Sequence, residues 1–393
     1  MNKFIVVVFT LIAAASVATA PAFAGNPIKI GSVLPFSGPA TSWGVGLSGI
    51  VEMLADEINA AGGLEVKGDK HKIQVIRYDD KYNANEAVSV MNRLIHNDGV
   101  KFALTLGSAS TLAITPAATE NKIMMLTVSF SNRVVTKDAP YTFRVITPST
   151  EFAYPQINWV VKKLQIKKVG ALFPNDETGQ QIAKDLASPY SANGVKMEAQ
   201  FFERDRLDFV PLITRLMAAG VEAIDLDGNA PATSGLILKQ AREAGFTGPV
   251  IATGGEATVA IIDVAGAKAA EGLYVHLPAN ATDPAVVKLK NAFESRFNTP
   301  MTLAAVSVYS GAQLLFKAIQ KTGSVDDVPA ISKAMESLND ETTMLGQIGW
   351  TGKNDLSGAV YENGHQMVYP FYVGQVKDGK VTIAATCNQR DCR

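Results

Sequence analysis

The sequence predicts an α/β protein built from two doubly wound parallel sheets. Short apolar segments alternate with amphipathic helical segments up to about residue 140, and a second series of the same kind follows. This alternation is typical of parallel sheets that carry helices on both faces. At 393 residues the chain is also too long for one ordinary hydrophobic core, which favours two domains of similar size.

Residues 1–24 predict a signal peptide for export. Lys3 precedes the uncharged apolar run Ile5–Ala18, and Ala22-Phe23-Ala24 matches the small-residue motif of a cleavage site. A membrane-spanning helix needs about 20 apolar residues, which is more than this run provides. We therefore expect cleavage after Ala24 and an exported, soluble mature chain.

The first series begins with a strand at residues 28–35 and a glycine-rich turn, Gly38–Gly46, that carries Trp43. The apolar residues after this turn recur at helical spacing, and the helix is expected to stop at Gly62-Gly63. Three more strands are predicted, with helices between them: Ile73–Tyr78, Val100–Leu106 and Ile123–Val128.

The second series repeats the pattern from Tyr141 onward. Its strands are predicted at Val169–Phe173, Met197–Phe202, Ala223–Leu226, Val250–Ala252 and Gly272–Leu277. Three helices follow, near residues 283–298, 302–322 and 328–338. The chain then ends in a predicted hairpin of Gln366–Val376 and Val381–Ala385, joined by an Asp-Gly turn. This last segment is expected to complete the two halves rather than to form a third domain.

Two neighbouring strands of the first series end in small hydroxyl residues. These residues are Ser108, Ser110 and Thr111 after one strand, and Ser129 and Ser131 after the next. Ligands of open α/β sheets bind outside the carboxyl ends of the strands, and the start of a helix suits an anionic group such as a carboxylate. The alternative is that these hydroxyls only cap helices.

Composition and motifs exclude several function classes. The net charge is −1 and no basic cluster occurs, so a nucleic-acid partner is not expected. The chain lacks a nucleophile elbow, a Walker A loop and an H-E-x-x-H motif, so no sequence feature indicates an enzyme, and no cofactor is expected. Cys387 and Cys392 lie close together at the C-terminus, where an exported chain favours a disulfide over a metal site.

The chain resembles a known family along most of its mature length. The motifs that carry the resemblance are I28-K-I-G-S-V-L-P-F-S-G-P-A-T-S-W-G44, E57-I-N-A-A-G-G63, Y78-D-D80, the hydroxyl stretch, Y141-T-F-R144, D208-F-V-P-L-I-T-R-L-M-A-A-G220, Q240-A-R-E-A-G245 and A270-E-G-L-Y274. They resemble the periplasmic solute-binding proteins of the leucine/isoleucine/valine-binding family, which are receptors of branched-chain amino acid ABC transporters.

The resemblance implies a type I periplasmic binding protein fold, in which two lobes are joined by three crossover strands. Residues 25–146 and 279–350 would form lobe 1, and residues 147–278 and 351–393 would form lobe 2. The crossovers would lie near Ile146–Pro148, near Leu277–Ala279 and within residues 349–366.

The resemblance also implies a ligand site between the lobes. The ligand carboxylate would meet residues at two strand ends of the first lobe: Ser108, Ala109, Ser110, Thr111, Ser129, Phe130 and Ser131. Trp43 would wall the side-chain pocket, and Glu256 would meet the ammonium group. Thr178 and Asn229 stand where the family usually has two aromatic residues, so this wall is expected to be smaller and more polar.

The function that follows is that of a periplasmic, monomeric, non-enzymatic receptor. It would close on a carboxylate-bearing solute, either an amino acid or an aromatic acid, and the closed form would be recognised by ABC transporter permease subunits. Three alternatives stay open at this point: a ligand-sensing domain for a signalling partner, a binder of an amide or urea-type solute, and a secreted hydrolase.

Overall fold

The computed structural model of the chain describes residues 25–254 and 256–393. The predicted signal peptide, residues 1–24, lies outside the described residues. Within the described part, the chain forms one nine-stranded and one seven-stranded β-sheet, each flanked by helices. Among these residues, no helix combines the length and the apolar character that crossing a membrane requires.

The first series of elements runs from β1 to β6. It consists of β1 (Gly25–Leu34), α1 (Thr41–Ala60), β2 (Leu64–Val66), β3 (Asp69–Asp79), α2 (Ala84–Arg93), β4 (Phe102–Leu106), α3 (Ser108–Glu120), β5 (Met124–Val128) and β6 (Thr142–Arg144). Short helical turns at Leu94–Asp98 and Asn132–Val135 supplement these elements.

The second series alternates in the same way. It consists of α4 (Ser149–Leu164), β7 (Lys168–Pro174), α5 (Glu177–Ala192), β8 (Lys196–Phe202), α6 (Val210–Ala218), β9 (Ala223–Asp225), α7 (Pro231–Glu243), β10 (Val250–Ala252), α8 (Thr258–Ala265), α9 (Ala267–Ala270) and β11 (Tyr274–Leu277). The final segment consists of α10 (Pro284–Phe297), α11 (Ala304–Thr322), α12 (Val328–Glu336), β12 (Glu341–Thr343), β13 (Gly346–Thr351), β14 (Gln366–Val368), β15 (Phe371–Lys377) and β16 (Lys380–Cys387).

The strand order confirms the predicted fold class of two mostly parallel sheets. The first sheet has the order β12-β13-β14-β6-β5-β4-β1-β3-β2, and the second has the order β16-β15-β11-β10-β9-β7-β8. The inner strands pair in parallel, whereas β2, β12, β13, β15 and β16 add antiparallel pairs toward the edges. Parallel strands need a crossover connection, and helices provide it here.

Each face of the first sheet has its own layer of helices. Leu104 and Leu126 belong to the core that α1 and α11 cover, whereas Ala103 and Met125 belong to a separate core under α2 and α3. Successive residues of a strand point to opposite faces, so β4 and β5 can be apolar along their whole length and contribute to both cores. β4 and β5 are therefore buried on both faces, and the hydroxyl residues that follow them lie at the carboxyl edge of the sheet.

The last crossing between the sheets differs from the prediction. The sequence predicted one strand over Gln366–Val376, but the chain leaves β14 of the first sheet at Val368 and enters β15 of the second sheet at Phe371. Pro370 lies at this break, and its ring removes the N–H that a continuous ladder would need. The crossing therefore lies C-terminal to the expected range of 349–366. Residues 366–368 pair with the first sheet, whereas the predicted boundaries assigned all of 351–393 to lobe 2. The other lobe boundaries stay predictions.

Cys387 and Cys392 form a disulfide that closes the C-terminal end of β16. The predicted pairing of these two cysteines is therefore present in the structure.

Candidate functional site

A cavity lies between the two lobes at the carboxyl ends of the parallel strands. Its lining residues come from both lobes: Trp43, Leu47, Tyr82, Leu106, Gly107, Val128, Phe130, Ile146, Thr178, Gly228, Glu256 and Ala304. Most of these side chains are apolar, and the polar groups are few, as is typical of small-molecule sites. Of the predicted site residues, Trp43, Phe130, Thr178 and Glu256 line this cavity.

Ser108 is buried behind the wall of the cavity on the first lobe, next to the lining residue Gly107. It is the first residue of α3, directly after Gly107, whose φ of 87° makes the sharp turn out of β4. The Ser108 hydroxyl accepts hydrogen bonds from the backbone N–H groups of Phe130 at 3.2 Å and Ser131 at 3.0 Å. One hydroxyl thus ties the two strand ends together.

The backbone N–H of Ser108 already has a partner from the other lobe. It donates to the Thr178 hydroxyl oxygen at 3.2 Å, and both residues are buried. An N–H at the start of a helix is a good donor to an anion, because the helix dipole adds to its partial positive charge. Thr178 therefore occupies the position that a ligand oxygen would need in order to reach this N–H group.

Thr111 and Ser129 lie behind the cavity rather than at its surface. The Thr111 hydroxyl is within 3.0 Å of the hydroxyls of Thr105 and Thr127, and within 2.9 Å of the Ser129 hydroxyl. Thr127 and Ser129 also bond to each other at 2.7 Å. This buried cluster joins the ends of β4 and β5 and thereby supports the site, and ligand contact by Thr111 and Ser129 stays a prediction.

Ser110 faces Asp80 at the end of β3, while Ala109 is half-buried. Burial raises the pKa of Asp80 to about 6, and hydrogen bonds from the Tyr82 N–H and the Ser110 side chain partly oppose this. The Asp80 carboxylate accepts the Tyr82 N–H at 2.9 Å, and its other oxygen has no partner among the described residues. Asp80 thereby holds the loop that carries Tyr82 into the cavity.

That loop is strained. Lys81 and Tyr82 have φ values of 52° and 58°, a region that non-glycine residues rarely adopt. The Tyr82 ring packs edge-on against Trp43, with centroids 6.2 Å apart, and touches Gly107 closely enough that a Cβ there would lie 2.6 Å from it. Sequence analysis missed Tyr82, although its position after the Y78-D-D80 motif and the strain at residues 81–82 indicate a functional loop.

Ser131 links the lobes at the rim of the cavity. Its hydroxyl donates to Glu177 Oε1 at 2.7 Å and accepts the Arg133 N–H at 3.3 Å. The Arg133 guanidinium also contacts Glu177 Oε2 at 3.1 Å. The hydroxyl therefore caps a short helical turn and contacts the second lobe at the same time.

Arg144 holds the residues that directly follow β5. Its guanidinium donates to the carbonyls of Phe130 at 3.0 Å and Ser131 at 3.1 Å, and to Asn132 Oδ1 at 3.0 Å. It also contacts Gln366 in β14. Burial lowers the pKa of Arg144 to about 10, so it stays charged at neutral pH. The sequence showed Arg144 only as part of the motif Y141-T-F-R144.

Glu256 holds the lobes together through protein donors alone. Its Oε1 accepts from the Thr258 N–H at 3.0 Å and the Thr258 hydroxyl at 3.3 Å. Its Oε2 accepts from the Thr302 hydroxyl at 2.9 Å and from the Leu303 N–H, which belong to the other lobe. Thr258 and Leu303 thus occupy three of the about four lone-pair positions of the carboxylate, and the single Thr302 proton can go either to Oε2 or to the Glu256 carbonyl, 2.9 Å from each. Burial raises the pKa of Glu256, and these hydrogen bonds oppose the shift.

Trp43 reaches the same residue from α1. Its indole Nε1–H donates to the Glu256 carbonyl at 2.9 Å, and the side chain is 7% exposed. The Thr302 hydroxyl lies 2.9 Å from the same carbonyl. Trp43 is thus both a wall of the cavity and a contact between the lobes.

Asn229 does not line this cavity but lies in a neighbouring pocket. Its side-chain N–H₂ group donates to the carbonyls of Leu172 at 2.8 Å and Leu226 at 2.9 Å. The described residues offer no cluster of side chains that could hold a metal ion.

Comparisons with known proteins identify the family of the chain. A family model described as periplasmic binding protein matches residues 27–380. The chain belongs to the periplasmic binding protein family. A curated relative is the leucine-, isoleucine-, valine-, threonine- and alanine-binding protein of Pseudomonas aeruginosa, which is 28% identical over 348 residues, covering 86% of this chain and 90% of that protein.

Solved structures of this periplasmic binding protein family show the same fold. The branched-chain amino acid transporter substrate binding protein of Streptococcus pneumoniae, in complex with isoleucine, has a TM-score of 0.77 at 23% identity, covering 93% of this chain and 99% of that chain. A solute binding protein of an ABC transporter from R. palustris, in complex with benzoate, has a TM-score of 0.77 at 16% identity, covering 93% and 97%. The resemblance stated from the sequence is confirmed.

Proposed function

We propose that this periplasmic binding protein is the receptor of an ABC importer and closes on a small carboxylate-bearing solute. The observation that carries the proposal is the cavity between the lobes, whose lining residue Gly107 directly precedes the start of α3 at Ser108. A carboxylate that displaces the Thr178 hydroxyl would meet the Ser108 N–H and neutralise the helix dipole. Closure then follows from the ligand's higher affinity for the closed state.

The family supports the class of ligand. The Pseudomonas aeruginosa relative is named for aliphatic and small amino acids, and the R. palustris structure holds benzoate. Both ligand types share a carboxylate joined to an apolar body. Leu47, Leu106, Val128 and Ile146 give the cavity the apolar lining that such a body needs, and its volume of about 20 Å³ means that the lobes must move apart to admit a ligand.

The state of Glu256 favours an acid without an amino group. A ligand ammonium would have to compete with protein donors for the carboxylate, because Thr258 and Leu303 occupy three of its lone-pair positions and the Thr302 hydroxyl lies 2.9 Å from the fourth. The resemblance implies aromatic residues at positions 178 and 229, and Thr178 instead gives the second-lobe wall of the cavity a small polar side chain beside Ser108. We therefore place aromatic or aliphatic monocarboxylates first and amino acids second.

A thermal-shift screen of the mature chain tests the proposal. The probes are leucine, 4-methylpentanoate (leucine without its amino group), benzoate, acetamide and urea. A ligand present at 100 times its dissociation constant stabilises the folded state by about 2.7 kcal/mol. We expect 4-methylpentanoate or benzoate to raise the melting temperature at least as much as leucine does. A shift with acetamide or urea and with no carboxylate would refute the proposal.

The family also implies a periplasmic location and a permease partner. We propose that residues 1–24 direct export and that the closed form docks on the permease. Reconstitution with an ABC transporter of the branched-chain amino acid type from the same organism tests the second point, because stimulated ATP hydrolysis requires that the permease recognise the closed receptor.

A further inference from the structure

A second pocket opens beside the cleft cavity, and the Tyr82 side chain lines both. The loop of Lys81 and Tyr82 lines this outer pocket from the first lobe, and Arg204 and Asn229 line it from the second. A ligand that fills the inner cavity and extends past the Tyr82 ring would therefore reach Arg204 and Asn229 with its far end.

The outer pocket contains a buried acceptor without a donor. Asn229 is 3% exposed, and its Oδ1 has no hydrogen-bond partner among the described residues. Its orientation is determined by chemistry, because its N–H₂ group lies against two carbonyls, those of Leu172 and Leu226, and only the amide nitrogen can donate to them. The oxygen must therefore be the atom that faces away from these carbonyls.

The same pocket contains a buried donor without an acceptor. The Arg204 guanidinium forms an ion pair with Asp176 through Nε and stacks on Tyr82, with its central carbon 4.5 Å from the ring centroid. Its Nη2 is buried and has no partner among the described residues. Asp176 balances the charge of Arg204, and Asp205 also lines the pocket, so the unused N–H does not imply an anionic partner.

An unmatched donor and an unmatched acceptor in one pocket fit a group that both accepts and donates. Buried polar groups in proteins are almost always hydrogen-bonded, so two unused ones in a pocket point to a missing partner. We propose that Arg204 and Asn229 form a subsite for a neutral hydroxyl at the far end of the ligand, whose carboxylate lies at Ser108. This inference rests on the proposed function and narrows it to acids that carry a hydroxyl at the end far from the carboxylate.

Two pairs of probes isolate the hydroxyl. 4-Hydroxybenzoate differs from benzoate, and tyrosine from phenylalanine, only by a hydroxyl at the far end. Isothermal titration calorimetry on the mature chain measures each dissociation constant. We expect the hydroxylated member of at least one pair to bind about 10-fold more tightly or better, because the other member leaves the buried Arg204 and Asn229 groups without partners.

Arg204→Lys tests the assignment to this residue. Lysine keeps the positive charge for Asp176 but lacks Nη2 and the planar guanidinium. The preference for the hydroxylated probe, taken as the ratio of the two dissociation constants, should fall to about 3-fold or less, and an unchanged urea unfolding midpoint shows that the variant is folded. Arg215→Lys is the matched control, since Arg215 lies on α6 and contacts Gln200 away from the pocket, and this variant should keep the full preference.

The outcomes separate the two proposals. If both members of each pair bind equally, the subsite is refuted and carboxylate binding stands. If no member of either pair binds but leucine or 4-methylpentanoate does, the subsite is refuted and carboxylate binding stands. If none of these carboxylates binds, the proposed function fails and the subsite fails with it. If the preference is present but survives Arg204→Lys, the hydroxyl binds elsewhere and the inference is refuted.

Discussion

Replacing Glu256 by Gln should weaken closure of the two lobes rather than recognition of any one ligand group. The native carboxylate accepts from Thr258 on its own lobe and from Thr302 and Leu303 on the other. Glutamine keeps one oxygen but turns an N–H₂ group toward the remaining donors. The Leu303 N–H cannot rearrange, since a backbone amide only donates, so one side of the contact becomes repulsive.

The magnitude follows from the bonds that are lost. A hydrogen bond to a charged group contributes about 1.5–3 kcal/mol. Two such bonds cross between the lobes, but the buried carboxylate also carries a desolvation cost, which is why its pKa is raised. We therefore expect a net loss of about 1.5–3 kcal/mol in closure, which corresponds to roughly 10- to 150-fold in affinity for any ligand that binds the closed form.

Titration calorimetry with leucine and with 4-methylpentanoate checks this account. Glu256→Gln should weaken whichever of them binds, and by the same factor if both do, because the bonds that it removes do not touch the ligand. Glu243→Gln is the control, since Glu243 is exposed on α7, and it should change neither affinity. Weaker leucine binding with unchanged 4-methylpentanoate binding would show that Glu256 meets the ligand ammonium, and our reasoning would be refuted. Unchanged affinities for both ligands would show that Glu256 does not contribute to closure of the lobes.

Three further predictions concern stability, each measured by urea unfolding. Asp80 has an ordinary pKa of 3.8 and a folded pKa of about 6, so the folded state binds more protons between these values, and the free energy of unfolding should fall by about 3 kcal/mol as pH rises from ~4 to ~6. Asp80→Asn should remove this pH dependence, and an unchanged dependence would contradict its assignment to Asp80. Ser108→Ala should destabilise the chain by about 1–3 kcal/mol per orphaned N–H of Phe130 and Ser131, and a loss below ~0.5 kcal/mol would show that water replaces the hydroxyl. Cys392→Ser should lower the free energy of unfolding by about 2 kcal/mol, because it opens the small loop that the disulfide closes. Equal stability of the native chain with the disulfide reduced and oxidised would contradict this expectation.

The sequence was sufficient for the elements that depend on local pattern. Buried strands such as β4 and β5 are short apolar runs, and helices such as α2 start at a recognisable cap, where the Asn83 side chain accepts two backbone N–H groups. The alternation of these elements was enough to predict two mostly parallel sheets. It failed at residues 366–376, because a continuous apolar run does not show that its two ends pair with different sheets.

The hydroxyl residues at the strand ends show the same limit at the site. Their positions predicted one polar edge, and the structure does bring Ser108, Ser129 and Ser131 together. The sequence could not separate their roles. Ser129 is used inside a hydroxyl cluster, Ser108 joins the two strand ends, and Ser131 reaches across to Glu177.

The sequence by itself determined the elements, the fold class and the edge of the sheet that carries the site, because helical and strand periodicity act over a few residues. The tertiary structure decided which polar groups face one another. Ser108 meets Thr178 across 70 residues, Trp43 meets Glu256 across 213, and Thr302 meets Glu256 across 46. Such contacts form only when two separately packed lobes approach, and their geometry depends on the packing of both lobes rather than on any local pattern.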